Sequence, residues 1–214
     1  MKKFLRKLIF LSIILIILSG SITFLIGFGY YSRTLHNKSL SERVDVVTSK
    51  EHFTPYKELS QDYTNAVVAV EDHRFYEHGA LDFIAIARAV YVDIIKQDFR
   101  EGGSTITQQV SKNLIFNQDK SFLRQFGEAF GAFALEKNYT KNEILALYVN
   151  SCYFGDGYYC IYDASMGYFG KAPKDLSLGE ASMLAGVPNA PSVYAPTANM
   201  DLANKRQSHV LNQM

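Results

Sequence analysis

The chain has 214 residues, a length that suits one folded domain with a hydrophobic core. Its formal net charge is +1, but without the four basic residues of the first seven positions, 18 basic residues face 21 acidic ones. This slightly acidic balance argues against a general nucleic-acid binder, which presents a basic domain to phosphates.

An apolar stretch near the N-terminus predicts a membrane anchor. Residues 8–30 are 23 uncharged positions, most of them Leu, Ile or Phe. About 20 apolar helical residues cross a bilayer, whereas a cleavable signal peptide has an apolar region of about 7 to 15. The Ser-Gly-Ser at 19–21 resembles a cleavage site, but the apolar stretch continues beyond it, which favours a retained anchor.

The basic cluster before this stretch orients it by the positive-inside rule, with the N-terminus in the cytoplasm and the rest of the chain outside. The polar segment after it predicts a stalk, with extended structure around 44–47. We therefore expect a cytoplasmic tail at 1–7, a transmembrane anchor at 8–30, a stalk at 31–55 and an extracytoplasmic domain at 56–214, with no room for a second catalytic domain.

Helical periodicity and capping residues predict a mainly α fold, since no stretch shows sustained two-residue alternation. Predicted helices cover 60–70 (N-cap Ser60), 82–98 (N-cap Asp82), 105–113, 121–139, 141–150 (capping box Thr140 and Glu143), 177–186 (capping box Ser177 and Glu180) and 201–214. The helix at 82–98 is apolar on most faces, which predicts a core helix. An apolar stripe on the helix at 121–139 is also interpreted as core; it contains Phe122, Phe126, Phe130, Phe133 and Leu135.

Two cysteines, Cys152 and Cys160, would lie outside the membrane, where a disulfide is permitted. The sequence leaves open whether they are bonded or are simply small buried residues. No histidine pair lies nearby, which argues against a zinc site.

A glycine-led polar stretch at 102–109 reads Gly-Gly-Ser-Thr-Ile-Thr-Gln-Gln. So many hydroxyls and amides would need partners in a core strand or helix, whereas they suit a surface that hydrogen-bonds a polar ligand.

Two carboxylates stand out on either side of this stretch. Glu71 and Asp72 follow an apolar run at 66–70 and would lie at the partly negative C-terminal end of a helix, where acidic residues are disfavoured. Glu128 lies four residues after Arg124, a spacing that also fits an ordinary helical ion pair. Paired carboxylates suit glycosyl transfer or glycoside hydrolysis, but the residues alone leave chance occurrence open.

Five motifs in order resemble the peptidoglycan glycosyltransferase family, glycosyltransferase family 51, in its monofunctional membrane-anchored form. They are Glu71-Asp72 with Phe75, His78 and Gly79; the octet at 102–109 with Lys112-Asn113; Arg124 with Glu128; the segment 141–155; and the segment 178–196. The resemblance covers about 63–214.

This resemblance implies a lysozyme-like, all-helical fold whose cleft faces the outer side of the bacterial cytoplasmic membrane. It implies that Glu71 takes the proton from the 4-hydroxyl of incoming lipid II. That oxygen attacks the anomeric carbon of the growing glycan, giving an inverted β-1,4 linkage and polyprenyl pyrophosphate. Glu128 resembles the second essential carboxylate of the family.

The resemblance also implies the ligands and partners. The substrate-binding residues would be Asp72, His78, Ser104, Thr105, Gln108, Gln109, Lys112, Lys120 and Arg124. The three cations would hold the pyrophosphate, and Asp72 would either assist Glu71 electrostatically or brace the loop with His78. Glu71 or Glu128 could hold a divalent cation, Mg²⁺ or Mn²⁺. Candidate partners are the membrane and proteins of cell-wall synthesis or division, with no nucleic acid.

The sequence departs from the family pattern on the third motif. Gln125 stands where lysine is usual, and Gly127 occupies a position that is often basic, so we expect weaker pyrophosphate binding. A non-catalytic lipid II-binding scaffold is therefore an alternative. A glycan-cleaving hydrolase is a third reading, which the octet at 102–109 disfavours.

Overall fold

A computed structural model describes residues 2–96, 103–116 and 124–214, and this part of the chain is helical without strands, as predicted. Its helices are α1 (Lys2–His36), α2 (Leu40–Thr48), α3 (Gln61–Glu71), α4 (Phe83–Lys96), α5 (Ile106–Ile115), α6 (Arg124–Asn138), α7 (Lys141–Val149), α8 (Ile161–Phe169), α9 (Leu178–Gly186), α10 (Pro191–Tyr194) and α11 (Met200–Gln213). Short 3₁₀ turns lie at Tyr56–Glu58, Pro173–Asp175 and Val187–Asn189.

Side-chain caps fix where these helices begin. The side chains of Ser60, Asp82, Thr105, Thr140 and Ser177 each accept hydrogen bonds from backbone N–H groups of the first helical turn. At the last three a Glu or Gln completes a capping box, which satisfies two otherwise unpaired donors. The predicted starts of α3, α4, α7 and α9 are confirmed.

The anchor helix is longer than the apolar stretch. α1 continues without a break to His36, and its segment Lys3–His36 is long and apolar enough to cross a membrane. It packs along α6, where Phe24 and Phe28 meet the ring of Phe130 edge to face. The N-terminal helix is therefore in contact with the rest of the fold.

The expectation of extended structure around 44–47 is wrong, because these residues belong to α2. Ser39 and Glu42 form a capping box that starts this helix. Val44 and Val47, three residues apart, lie on one face and are buried in the main core. Residues 44–47 thus belong to a short amphipathic helix. The domain boundaries stay predictions.

The expectation that α4 is a core helix is also wrong. Phe83, Ile84 and Tyr91 are 70%, 61% and 65% exposed. The apolar residues on most faces of α4 predict an apolar environment, but they do not specify that this environment is the protein interior.

The hydrophobic core surrounds α5, which packs on α6 and α7, while α3, α9 and α11 form a second packed group. Gly131 of α6 lies against α5. A Cβ atom at this position would overlap the Oγ atom of Ser111, so the glycine allows the two helices to approach closely. The phenylalanine stripe of α6 faces elsewhere: Phe130 packs on α1 and Phe133 is 53% exposed. Among the described residues of the stripe, only Leu135 is fully buried. The interpretation of the stripe as core is therefore largely wrong. Phe122 lies outside the described residues.

Both cysteines are free thiols in buried positions. Cys160 caps α8, with its Sγ atom accepting from the N–H of Asp163. Burial raises the pKa of Cys160 to about 11 and that of Cys152 well above its usual range. The buried-residue alternative is therefore the one that the structure supports.

The side chain of Asn150 joins α7 to the segment before α3. Its Oδ1 accepts from the N–H of Thr54 at 2.9 Å, and its Nδ2 donates to the carbonyls of Thr54 and Ala146, both at 2.8 Å.

Asn150→Ala leaves these buried groups unpaired, so we expect a loss of about 2–3 kcal/mol in the free energy of unfolding. Chemical denaturation in detergent measures it. Asn204→Ala, at an exposed position of α11, should change stability by less than about 0.5 kcal/mol. Equal losses in the two variants would contradict this account of Asn150.

Candidate active site

A cleft of about 960 Å³ lies between α3, α5, α6 and α11. Most of its lining residues carry carboxylate, cationic or amide groups. The lining consists of Val70, Glu71, Arg88, Ser104, Gln108, Gln109, Lys112, Arg124, Gln125, Glu128, Pro188, Asn189, Arg206, His209 and Gln213. A smaller cavity of about 270 Å³ adjoins it past Glu71 and includes Asp72, Arg74 and Asp82. The structure therefore brings the two predicted carboxylates to one cleft.

Glu71 is the last residue of α3 and is only 10% exposed at its side chain. Its Oε2 atom accepts a hydrogen bond from Nε2 of Gln109 at 2.9 Å. Its Oε1 atom has no hydrogen-bond donor among the described residues, and Nη2 of Arg206 lies 3.9 Å away. Gln109 thus fixes one oxygen in place, while the other is buried beside the guanidinium of Arg206 without a hydrogen-bond donor from the described part of the chain.

Asp72 and His78 brace the loop, one of the two predicted roles. Oδ1 of Asp72 lies 2.8 Å from Nε2 of His78, and its Oδ2 accepts from the N–H of Ile106 at 3.0 Å. Nδ1 of His78 lies 2.6 Å from the carbonyl of Gly79. Both side chains are about 95% buried, and their polar atoms already have partners within the protein, which leaves little for a ligand.

The polar octet divides between structural and cleft-facing residues. Thr105 is buried, donates to the carbonyl of Ala80 and caps α5, with Oε1 of Gln108 accepting from its N–H. Its predicted contact with substrate is therefore not supported. Ser104 is exposed in the cleft, and Gln109 reaches Glu71. Gly102 lies outside the described residues.

The second carboxylate sits among cations. Oε1 of Glu128 lies 2.8 Å from Nε of Arg124, the predicted pair four residues apart on α6. Burial raises the pKa of Glu128 above its usual value, and the positive charges of Arg124 and Lys112 oppose this rise. The third predicted cation, Lys120, lies outside the described residues.

Arg206 is the main residue that the sequence did not reveal. It lies on α11, interpreted from sequence only as a polar helix, and faces Glu71 from the side opposite Gln109. Its guanidinium stands 5.7 Å from the ring centre of Tyr194. A Cβ atom at Gly186 would approach its Cγ atom to 2.8 Å, so this glycine makes room for Arg206, besides ending α9 as predicted.

Gln125 and Gly127, the two departures from the family pattern, lie in different surroundings. Gln125 is exposed and lines the cleft. Gly127 is buried, and a Cβ atom there would lie 2.9 Å from Cζ of Phe116 and 3.2 Å from Cδ1 of Tyr30. The interpretation of Gly127 as a lost charge in the cleft is therefore wrong, because its position packs against α1.

Among the residues that the structure describes, neither Glu71 nor Glu128 belongs to a preformed cluster of metal ligands. Among the described residues, the group whose ligand atoms all lie within 4.8 Å of one another is Asp72, His78 and Asp82. Asp82 caps α4 and lies 3.3 Å from Nε of Arg74, so this group is already used by internal contacts.

Comparison with known proteins supports the assignment made from the motifs. A family model described as Transglycosylase matches residues 37–214. Penicillin-binding protein 1F of Bacillus subtilis (strain 168) is 37% identical over 231 residues, which cover 100% of this chain and 32% of that protein. Penicillin-binding protein 1A of Neisseria lactamica is 43% identical over 165 residues, and that of Neisseria gonorrhoeae 41%; each alignment covers 77% of this chain and 21% of the relative.

The described residues form helices that bring two carboxylates and several cations to one cleft, an arrangement that fits the family found by these comparisons. The chain belongs to the transglycosylase family, the peptidoglycan glycosyltransferases. It spans a third or less of the length of these relatives.

The charge of Lys112 should act on Glu128 through the cleft. Because Lys112 lowers the pKa of Glu128, Lys112→Met should raise that pKa further above the usual value for a glutamate. Carboxyl-carbon NMR titration of the labelled protein measures it. Lys174→Met, at an exposed lysine outside the cleft, serves as the control and should leave the titration unchanged. A titration of Glu128 that is the same in both variants would exclude the coupling.

Proposed function

We propose that this chain polymerises lipid II into β-1,4-linked glycan strands with inversion, releasing polyprenyl pyrophosphate. The observation that carries the proposal is the shared cleft, with Glu71 at one part of its lining and Lys112, Arg124 and Glu128 at another. The first supplies a proton acceptor and the second a binding region for an anionic leaving group.

Glu71 acts as the general base. Gln109 holds Oε2 of the carboxylate, and the carboxylate takes the proton from the 4-hydroxyl of the acceptor sugar. As this proton moves, the acceptor oxygen forms a bond to the anomeric carbon of the donor, and the bond from that carbon to the pyrophosphate oxygen breaks. Arg206 places a positive charge near the carboxylate, with its Nη2 atom 3.9 Å from Oε1.

The leaving pyrophosphate gains negative charge as the bond breaks, so cations already in place stabilise the transition state. Arg124 and Lys112 supply them, with Lys120 retained as a third from the resemblance. Glu128 holds Arg124 by their ion pair and thereby orients the guanidinium towards the cleft. Ser104, Gln108 and Gln109 contribute hydroxyl and amide groups for sugar and phosphate oxygens.

A divalent cation remains part of the proposal. Mg²⁺ is commonly held by one or two carboxylates together with substrate phosphates, so Glu128 or Glu71 could supply an oxygen without a preformed cluster. A polymerisation assay with Mg²⁺, with Mn²⁺ and with a chelator tests this requirement.

The membrane completes the arrangement. With α1 as a single-pass anchor and the N-terminus in the cytoplasm, the cleft would meet lipid II at the outer face of the cytoplasmic membrane. The growing strand is the second substrate, and cell-wall synthesis or division proteins are candidate partners. The alternative, a non-catalytic lipid II binder, rests on the exposed Gln125, where the family has lysine.

Glu71→Gln keeps the size of the side chain and removes the proton acceptor. We expect turnover of purified lipid II into glycan to fall by about 10²- to 10⁴-fold, the usual contribution of a general base. Glu77→Gln, at an exposed glutamate on the following loop, is the control and should keep the wild-type rate. Equal rates for the two variants would overturn the mechanism, whereas a wild-type chain that binds lipid II without turnover would support the scaffold alternative.

Gln125→Lys restores the charge that is usual in the family. Its side chain is exposed in the cleft, so a lysine can be placed there without loss of packing. We expect the KM for lipid II to fall by about two- to fivefold at low salt and the gain to shrink as salt screens it. Steady-state kinetics at two ionic strengths measure it, with Gln125→Met as the uncharged control. A lower KM in both variants would exclude a charge effect.

A further inference from the structure

The anchor helix α1 makes more contacts with α6 than a simple tether requires. On one face of α1, Phe24, Phe28 and Tyr31 surround the ring of Phe130, with ring centres 5.0, 5.8 and 6.3 Å away. One helical turn rises about 5.4 Å, so this contact extends over about two turns at the C-terminal end of the apolar stretch.

Two glycines set how closely the helices approach. A Cβ atom at Gly27 would lie 2.8 Å from the backbone oxygen of Phe126, and also 2.8 Å from the ring of Phe130. A Cβ atom at Gly127 would meet Phe116 and Tyr30, whose rings stack at 5.9 Å. Because a backbone oxygen cannot turn aside as a side chain can, Gly27→Ala would push α6 away from α1.

Arg43 fastens the outer end of the anchor to α5. Its Nη2 atom donates to the carbonyl of Thr34 in α1 at 2.9 Å. Its Nη1 donates to the carbonyls of Leu114 and Ile115 at 3.2 and 3.3 Å, and its Nε donates to that of Lys38. The carbonyls of Leu114 and Ile115 are the last two of α5, and carbonyls at a helix C-terminus lack helical partners and carry partial negative charge. α1 is thus joined to α5 and α6, two of the helices that line the cleft.

We propose that α1 is a positioning element of the active site, with Gly27 and Gly127 as the residues that set the place of α6. The same helix α6 carries Arg124 and Glu128, and α5 carries Gln109 and Lys112. The position of the leaving-group cations relative to Glu71 therefore depends on the anchor. In this respect the inference rests on the proposed function.

The packing around Gly127 reverses the expectation that a basic residue at this position would improve activity. Restoring a basic residue there would follow the family pattern, yet the added side chain would enter the contact between Phe116 and Tyr30. Gly127→Lys should therefore reduce activity, in contrast to Gln125→Lys on the cleft side of the same helix.

The first test compares kinetics of full-length variants on lipid II in detergent, where membrane attachment is not needed for encounter. We expect Gly27→Ala and Gly127→Lys to lower kcat by about 10-fold or more, with KM changed less than about twofold, because misplaced groups lose the transition state before they lose binding. Gly20→Ala and Gly29→Ala are matched controls on α1, since a Cβ atom at either position meets nothing within 4 Å. Equal kcat values for Gly27→Ala and Gly29→Ala would overturn the proposal.

The second test measures the cleft itself and needs no activity. Spin labels at Gln125→Cys on α6 and Gln213→Cys on α11, both exposed, report the distance across the cleft by electron spin resonance. The distribution should shift or broaden with Gly27→Ala and stay unchanged with Gly29→Ala. An unchanged distribution in both variants would refute the positioning role. If the wild-type chain does not turn over lipid II, the proposed function fails, and this distance still decides whether α1 positions α6.

Discussion

The carboxylate of Asp72 is the interaction on which the site depends. It accepts from His78 with one oxygen and from the first N–H of α5 with the other, so it joins the end of α3 to the start of α5. Glu71 precedes it and Gln109 lies one turn into α5, so their 2.9 Å hydrogen bond depends on this junction. An acidic residue at a helix C-terminus is unfavourable by itself, but here the N-terminus of a second helix compensates it.

The helix α6 shows how one element serves three neighbours. Its glycine positions allow close contact with α5 and α1, Phe130 packs on α1, and Arg124 and Glu128 face the cleft. A residue on this helix therefore acts according to the face it occupies. Gln125 and Gly127 are two positions apart, yet one faces a polar cleft and the other a packed apolar contact.

Local signals predicted most of the helices and part of the site, although α2, α8 and α10 were not among the predicted helices. Caps such as Ser60 and Thr140 act within four residues, so the starts of α3 and α7 could be predicted. The predictions for α4 and for the stripe on α6 failed because periodicity shows that a face is apolar, without showing whether protein, membrane or solvent lies against it. Arg206 was missed because its partner, Glu71, is distant in sequence.

The helical class, the long apolar N-terminal helix, the family and the two carboxylates could all be predicted from sequence, because they depend on local spacing and on motifs in order. Which polar residues are used in internal hydrogen bonds became clear from the packing of the helices. Asp72, His78 and Thr105 are buried in hydrogen bonds, whereas Ser104, Gln109 and Lys112 face the cleft. The physical reason is that a hydroxyl or carboxylate can satisfy the backbone or a ligand, and the packing of α3 on α5 selects between them.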